Sequence, residues 1–264
     1  MKLYKYETHM HTSQGSDCSS TSGAKMVERL HELGYSGCFI TDHFFGGNTA
    51  VDRRFPWEIK VRLFCQGYED AKRRGEQLGM SVFFGLEFGY RATEFLTYGI
   101  DMDFLLSHPE IDNMEPDRFA DLVHQNGGFC VHAHPFREAP YISTIRLYPH
   151  AVDGVEVYNC GNCDPAFNAR ARAYAESYGL PMTSGSDAHH FWNFPGGGVA
   201  LDEPLGSPND YLERLRAGRI TKMLERDESL ILKQPENAWQ NVVRPDIGLL
   251  PPELKAAAEK AGLK

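Results

Sequence analysis

Short apolar runs alternate with amphipathic stretches along most of this chain, and the runs keep ending in histidine, aspartate or glutamate. They are "KLYKYETH" (2–9), "SGCFITDH" (36–43), "SVFFGLEF" (81–88), "MDFLLSH" (102–108), "GFCVHAH" (128–134), "GVEVYN" (154–159) and "LPMTSGSD" (180–187). Their length and composition read as strands. Between them, "AKMVERLHELGY" puts Met26, Val27, Leu30 and Leu33 on one helical stripe with Gly34 as a cap, and residues 57–78, 116–126 and 165–178 read as further helices. Strand and helix in alternation imply an α/β fold with a parallel sheet, open and doubly wound or closed as a barrel. After residue 226 the alternation stops. Four prolines and no strand pattern predict a tail with one short terminal helix, packed on the barrel through Trp239, Val242, Val243, Ile247 and Leu249. The expected organisation is a barrel over 1–225 and a tail over 226–264.

Composition narrows the function. No apolar run approaches the roughly 18–20 residues needed to cross a bilayer. The first ten residues are polar, and His9 would be lost with any leader cut there, so a cytoplasmic protein is expected. Six cysteines are too sparse for a disulfide scaffold in 264 residues, and the single C-x-x-C pair, Cys160 and Cys163, lacks the second pair of a zinc ribbon. A net charge of −9 argues against extended nucleic acid or anionic membrane as partner. It leaves room for a small anion in a local cationic site, and no obligate protein partner is evident.

The strand ends carry the chemistry. In a strand, residues i and i+2 share a face, so His9 and His11 reach one point, as do Asp187 and His189 in "GSDAH". "TDH" (Asp42, His43), "GLE" (Glu87), "LLSHPE" (His108) and "VHAHP" (His132, His134) lie at other strand ends, and in a barrel of strands and helices these ends converge on one mouth. Imidazole and carboxylate without cysteine suit zinc, manganese or iron(II). Asp42 is read as an orienting or capping group and His190 as a neighbour of the site. His31, His124 and His150 have no assigned role.

"ETHMHT", Asp17, "TDH", "GLE", "SHPE", "AHP" and "GSDAH", in that order, resemble the PHP (polymerase and histidinol phosphatase) family of metal-dependent phosphoesterases over about residues 1–225. The resemblance implies a distorted (β/α)7 TIM-like barrel with two or three divalent ions (Zn, Mn or Fe) at the strand C-terminal face. It implies a first ion held by His9, His11, Glu87 and Asp187, with Glu87 bridging to a second held by His108 and His134. Asp17, His43 and His189 would hold the third. His132 competes with His134, and the family's "HP" pattern favours His134.

Two ions about 3.5–4 Å apart suit hydrolysis of phosphate esters, by attack of metal-bound hydroxide on phosphorus. Glu87, Asp187, His189 and Arg137 are the expected catalytic set. Arg137, just after "AHPF", would grip phosphate in bidentate fashion. Arg53 and Arg54 are the next substrate contacts, ahead of Arg91 and Arg146. The short spacing from Glu87 to His108 and on to His134 leaves no room for the helical insertion that family members acting on nucleotides or RNA ends often carry there, so the resemblance implies a small phosphorylated metabolite. A non-phosphate metallohydrolase, acting on amides for example, and a catalytically silent metal-binding module are the alternatives.

Overall fold

The computed structural model describes residues 2–262. In chain order the elements are β1 (Tyr4–Glu7), α1 (Gly23–Glu32), β2 (Gly37–Ile40), α2 (Trp57–Leu78), β3 (Ser81–Tyr90), β4 (Thr93–Tyr98), α3 (Met102–Ser107), α4 (Pro116–Gln125) and β5 (Phe129–His132). They continue with β6 (Gly154–Asn159), α5 (Pro165–Tyr178), β7 (Met182–Gly185), β8 (Val199–Leu201), α6 (Pro208–Arg216), β9 (Lys222–Met223) and α7 (Pro252–Lys260). Helix boundaries follow local chemistry. Ser22 caps α1 by accepting from the Lys25 amide, and Gly79 and Gly179, both with positive φ, end α2 and α5.

One nine-stranded sheet runs in the order β7-β6-β5-β4-β3-β2-β1-β8-β9 and curls into a nearly closed barrel. Phe39, Phe83, Leu96, Tyr98, Phe129 and Val131 fill its interior, where α6 inserts Tyr211, Leu212 and Leu215. Outward residues such as Phe84, Leu86, Phe88 and Phe95 pack beneath the helices. Closure happens at the rim. Met10 and Ala188 form a parallel bridge, with the His11 amide donating to the Ala188 carbonyl and the Asp187 amide to the His9 carbonyl. Lower down, β8 pairs antiparallel with β1 on the far side from β2.

The fourth stave departs from the expected pattern. "MDFLLSH" is helix α3, not a strand: Asp101 caps it by accepting from the Phe104 amide, and Phe104 and Leu105 are buried from a helix. Its place in the sheet is taken by β4, which runs antiparallel to both β3 and β5. The β3–β4 hairpin turns through Arg91 and Ala92 at φ 50° and 60°. Two-residue hairpin turns with both φ positive normally use Asn-Gly or Asp-Gly, so nothing in "YRAT" announces this one.

Parts of the segment 227–262 lie against the barrel. Leu250 and Ala258 join the outer core, the Gln66 side chain donates to the Asp246 carbonyl and accepts from its amide, and Arg244 donates to the carbonyls of Ser13, Ser16 and Asp17.

His132 faces outward from β5, stacked on Phe95 with ring centroids 5.1 Å apart, and neither ring nitrogen has a hydrogen-bond partner. Burial, helped by His134, pushes its pKa down to about 3. A base depressed in the folded state takes up its proton on unfolding, so its contribution to stability is present above about pH 6.5 and is lost as pH falls toward 3. We expect His132→Leu to remove this acid sensitivity, worth up to about 1.4 kcal/mol per pH unit, seen as urea midpoints of wild type and variant that diverge below pH 6.5. Replacing Arg91 and Ala92 by Asn-Gly should raise unfolding free energy by about 1 kcal/mol or more, by relieving two left-handed non-glycine residues.

Candidate metal centre

The bridge that closes the barrel also builds the site. Met10 and Ala188 pair, so the residues on either side of each, His9 and His11, Asp187 and His189, face one another across the closure. Glu7 ties the two segments: its Oε1 accepts from the amides of Thr8, His9 and Ser186. Full burial outweighs those bonds and pushes the Glu7 carboxyl up to about 7. Glu87 comes from β3 as an inward residue, beside the His43 bridge partner that extends β2.

Four donors form the first group. The His9 Nε2 lies 3.2 Å from the His11 Nε2, 3.2 Å from Glu87 and 3.4 Å from Asp187. The His11 Nε2 lies 3.6 Å from Glu87 and 3.2 Å from Asp187. An ion with bonds of about 2.1 Å to tetrahedral ligands sets those ligands about 3.4 Å apart, so the spacing fits a zinc-sized ion.

Hydrogen bonding fixes the tautomers. The His9 Nδ1 meets Glu156 Oε1 at 2.9 Å, so it carries a proton and turns Nε2 inward as a lone pair. The Ser16 hydroxyl donates to Asp42 and accepts the His43 amide, so the His11 Nδ1, at 3.0 Å, donates to it and its Nε2 is again a lone pair. Two lone pairs 3.2 Å apart require a cation between them. A proton is one solution. Although burial opposes it, Glu156, Asp187 and Glu87 hold His9 well above the ordinary histidine range, while burial and the neighbouring His189 and His43 push His11 well below. A metal ion is the other.

A second group surrounds the opposite side of Glu87. The His134 Nε2 lies 3.2 Å from Glu87 and 3.5 Å from Glu94, and the His43 Nδ1 lies 2.6 Å from Glu87 and 3.7 Å from Glu94. The His43 Nδ1 and Glu87 Oε2 are buried without hydrogen-bond partners despite this closeness. Burial disfavours both carboxylates, but His43, His9 and His134 hold Glu87 well below the usual range, whereas the Glu87 charge adds to burial in raising Glu94. Against burial, Arg137, His9 and His11 hold Asp187 well below its usual range. A third group brings ring nitrogens of His11, His43 and His189 within 4.8 Å of one another. The Cys18 thiol sits against His189 and His43, which overcome the effect of burial and bring it down to about 6.

The structure thus gathers His9, His11, His43, Glu87, His134, Asp187 and His189. It does not gather His108, which follows α3, pairs with Glu110 at 2.8 Å and is partly exposed. Glu94 stands where that histidine was expected. Asp17 also points away, into an ion pair with Arg244 at 3.2 Å, and the next residue, Cys18, faces the site. His134 reaches the site because a positive φ of 28° turns it off the outward face of His132. Arg137 is largely committed. Its Nη2 meets Asp187 at 2.6 Å and donates to Asn159, and its Nε donates to Asn162, so the bidentate fork expected for phosphate is not free. Arg53 donates to the Gly47 carbonyl and Arg54 pairs with Asp52; both are exposed and outside the two cavities at the site. Asp42 orients the ligand loop, accepting from the Thr12 amide and the Thr12 and Ser16 hydroxyls. Sequence reasoning missed Glu94, Glu156, Glu7 and Cys18. An alternating "TEFLTY" run was the available signal for Glu94.

Residues 165–220 match the family model described as PHP-associated. The fold is shared with a two-domain protein of Bacteroides vulgatus containing a predicted PHP-like metal-dependent phosphoesterase, at TM-score 0.60 and 16% identity over 83% of this chain and 64% of that one. What the chain shares with PHP proteins is this barrel fold and the match over residues 165–220. An amidohydrolase of Chromobacterium violaceum has the same fold (TM-score 0.53, 15% identity, 84% of this chain and 98% of that one). So does a lesion-specific endonuclease of Pyrococcus furiosus (TM-score 0.55, 11% identity, 85% and 58%). The chain spans less than two thirds of the Bacteroides and Pyrococcus chains. No curated protein sequence matches it.

The placement of Glu94 and His108 is directly testable. Glu94→Ala should lower bound metal and weaken the remaining affinity by about 10-fold to 100-fold or more, whereas His108→Ala should leave metal content at the wild-type value, both measured by elemental analysis and competition with a chelator.

Proposed function

We propose that this chain is a PHP-type phosphoesterase that hydrolyses a small phosphate monoester. In this reading His9, His11, Glu87 and Asp187 hold one divalent ion, Glu87, Glu94 and His134 a second, and His43 and His189 take part in a third. Zinc, manganese and iron(II) all suit the imidazole and carboxylate donors. The observation that carries the proposal is Glu87, fully buried, with Oε1 at 3.2 Å from both the His9 and His134 Nε2. One carboxylate between two donor groups is the arrangement that holds two ions about 3.5–4 Å apart for displacement at phosphorus. Bound there, the ions supply an acidified water and neutralise charge on the phosphoryl oxygens.

The chain's own groups do the rest. Glu156 keeps the His9 lone pair aimed inward, and Arg137 keeps Asp187 ionised and fixed. A cavity of about 370 Å³ opens over the donors, lined by Asn48, Tyr141 and Arg137 together with Glu94, His134 and His189. It suits a phosphoryl group, with Arg137 offering its Nη1 alone. Asp187 and His189 also line a neighbouring cleft of about 1110 Å³, whose walls carry Asn159, Asn162, Asn168 and Asn193. Carboxamide walls of this kind suit a hydroxylated alcohol portion better than an apolar one.

The kinship in fold with an amidohydrolase and an endonuclease widens the screen. A negative net charge is weak ground for setting nucleic acid aside when an endonuclease shares this barrel. Phosphate release should therefore be measured over phosphorylated metabolites alongside amides and lesion-bearing oligonucleotides. We expect release from a monoester that a chelator abolishes and added metal restores. Glu87→Gln should lower it about 100-fold or more together with metal content. Full activity in metal-depleted protein, or amide hydrolysis with no phosphate release, would overturn the proposal.

A further inference from the structure

We infer that Cys18 is a metal ligand of this centre, completing with His43 and His189 a thiolate–imidazole site for a borderline-soft ion such as zinc. The inference rests on the metal-centre reading above and goes beyond it in naming a sulfur donor.

Three observations converge. First, His11, His43 and His189 bring ring nitrogens within 4.8 Å of one another independently of the cysteine, with His11 and His189 stacked at a centroid distance of 4.1 Å. Second, the ring nitrogens are already divided between partners. The His189 Nδ1 meets its own loop's Asp187 carbonyl at 2.8 Å, which leaves Nε2 as a lone pair. The His43 Nδ1, without a hydrogen-bond partner on a histidine that is 8% exposed, faces Glu87 and leaves Nε2 for the thiol side. The His11 Nε2 belongs to the first group. His43 and His189 alone are two ligands, one short of the three protein ligands usual in a catalytic zinc site with an open position. Third, Cys18 supplies the missing donor. Its side chain lies with both histidines and lines the cavity over the centre, so the fourth position opens toward substrate.

The neighbouring Asp17 is excluded by direction. The loop is held by the Asp17 amide on the Asn48 carbonyl and by Arg244, whose Nη2 takes both the Asp17 carbonyl and, at 3.2 Å, its carboxylate. Exchanging the two residues would require that clamp to turn over. A sulfur ligand also alters selectivity: thiolate favours zinc, iron(II) and cobalt(II) over manganese and magnesium, so this ion should differ in preference from the one held by Glu87, Glu94 and His134.

The test uses the full chain loaded with cobalt(II). Wild type should show a near-ultraviolet thiolate-to-cobalt charge-transfer band that Cys18→Ser abolishes and Asp17→Asn retains. Cys18→Ser should also lose one equivalent of zinc. In wild type, added zinc should slow alkylation of Cys18 by iodoacetamide at least tenfold, read by mass spectrometry against the exposed Cys163 as internal reference. The serine is nearly isosteric, and circular dichroism separates ligand loss from misfolding. If wild type binds cobalt with no such band, or if Asp17→Asn loses the ion while Cys18→Ser keeps it, Cys18 is not a ligand. If wild type binds no metal at all, it is the metal-centre reading that falls.

Discussion

Everything at the site depends on how the barrel is closed. β1 and β7 do not pair along their length; they meet at the rim, through the Met10–Ala188 bridge and the two backbone hydrogen bonds around it. The same four residues that flank the bridge are donors gathered at the centre, so closing the sheet and assembling the donors are one event. Glu7 reinforces it from behind with three amides on a single carboxylate oxygen. A buried carboxyl pushed up to about 7 is unfavourable in isolation, and its position is explained by what it joins: the amides of His9 and Ser186, on the two segments that must meet.

The electrostatics follow from that closure. Glu87, Glu94 and Asp187 stand within a few ångströms of five imidazoles, with Glu87, His9 and His11 fully buried. Charges this dense cost several kcal/mol each to bury unless paired. Protons on some imidazoles give partial compensation, but they leave donors crowded without hydrogen-bond geometry, as at His43 and Glu87. Divalent ions resolve the same crowding with every lone pair directed at a cation. Two of the groups, His134 and Asp187, have positive φ, and a strained backbone at such points is the mark of a site held by its surroundings.

How much of this was legible in the sequence depended on period. The H-x-H and D-x-H patterns could be read because i and i+2 share a face, and α2 and α5 because each ends at a glycine of positive φ. Glu94 is hidden by its turn: Arg91 and Ala92 adopt a conformation that their side chains do not advertise, so nothing signals the β3–β4 hairpin and "MDFLLSH" reads as the fourth strand. His108 was misplaced as a direct result. His132 and His134 share a strand face on paper, but the strand stops at His132 and a single φ separates their fates. Asp17 and Cys18 differ by one position in a loop, where no period exists to choose between them.

That loop shows why the chain after residue 226 matters to the chemistry. Residues 12–18 belong to no helix or named strand, and two clamps add to their backbone bonds with Thr21, Asn48 and Ala50. Inside, Asp42 gathers Thr12 and Ser16, and through Ser16 sets the tautomer of His11. Outside, Arg244 holds the carbonyls of Ser13, Ser16 and Asp17, while the Ser13 hydroxyl donates to the Val243 carbonyl. Asp246, two residues on, is tied to Gln66 on α2. The segment is thus anchored to the barrel at one point and grips the ligand loop at another. Val243 and Arg244 bear on the site through the position of the loop that carries His11 and Cys18.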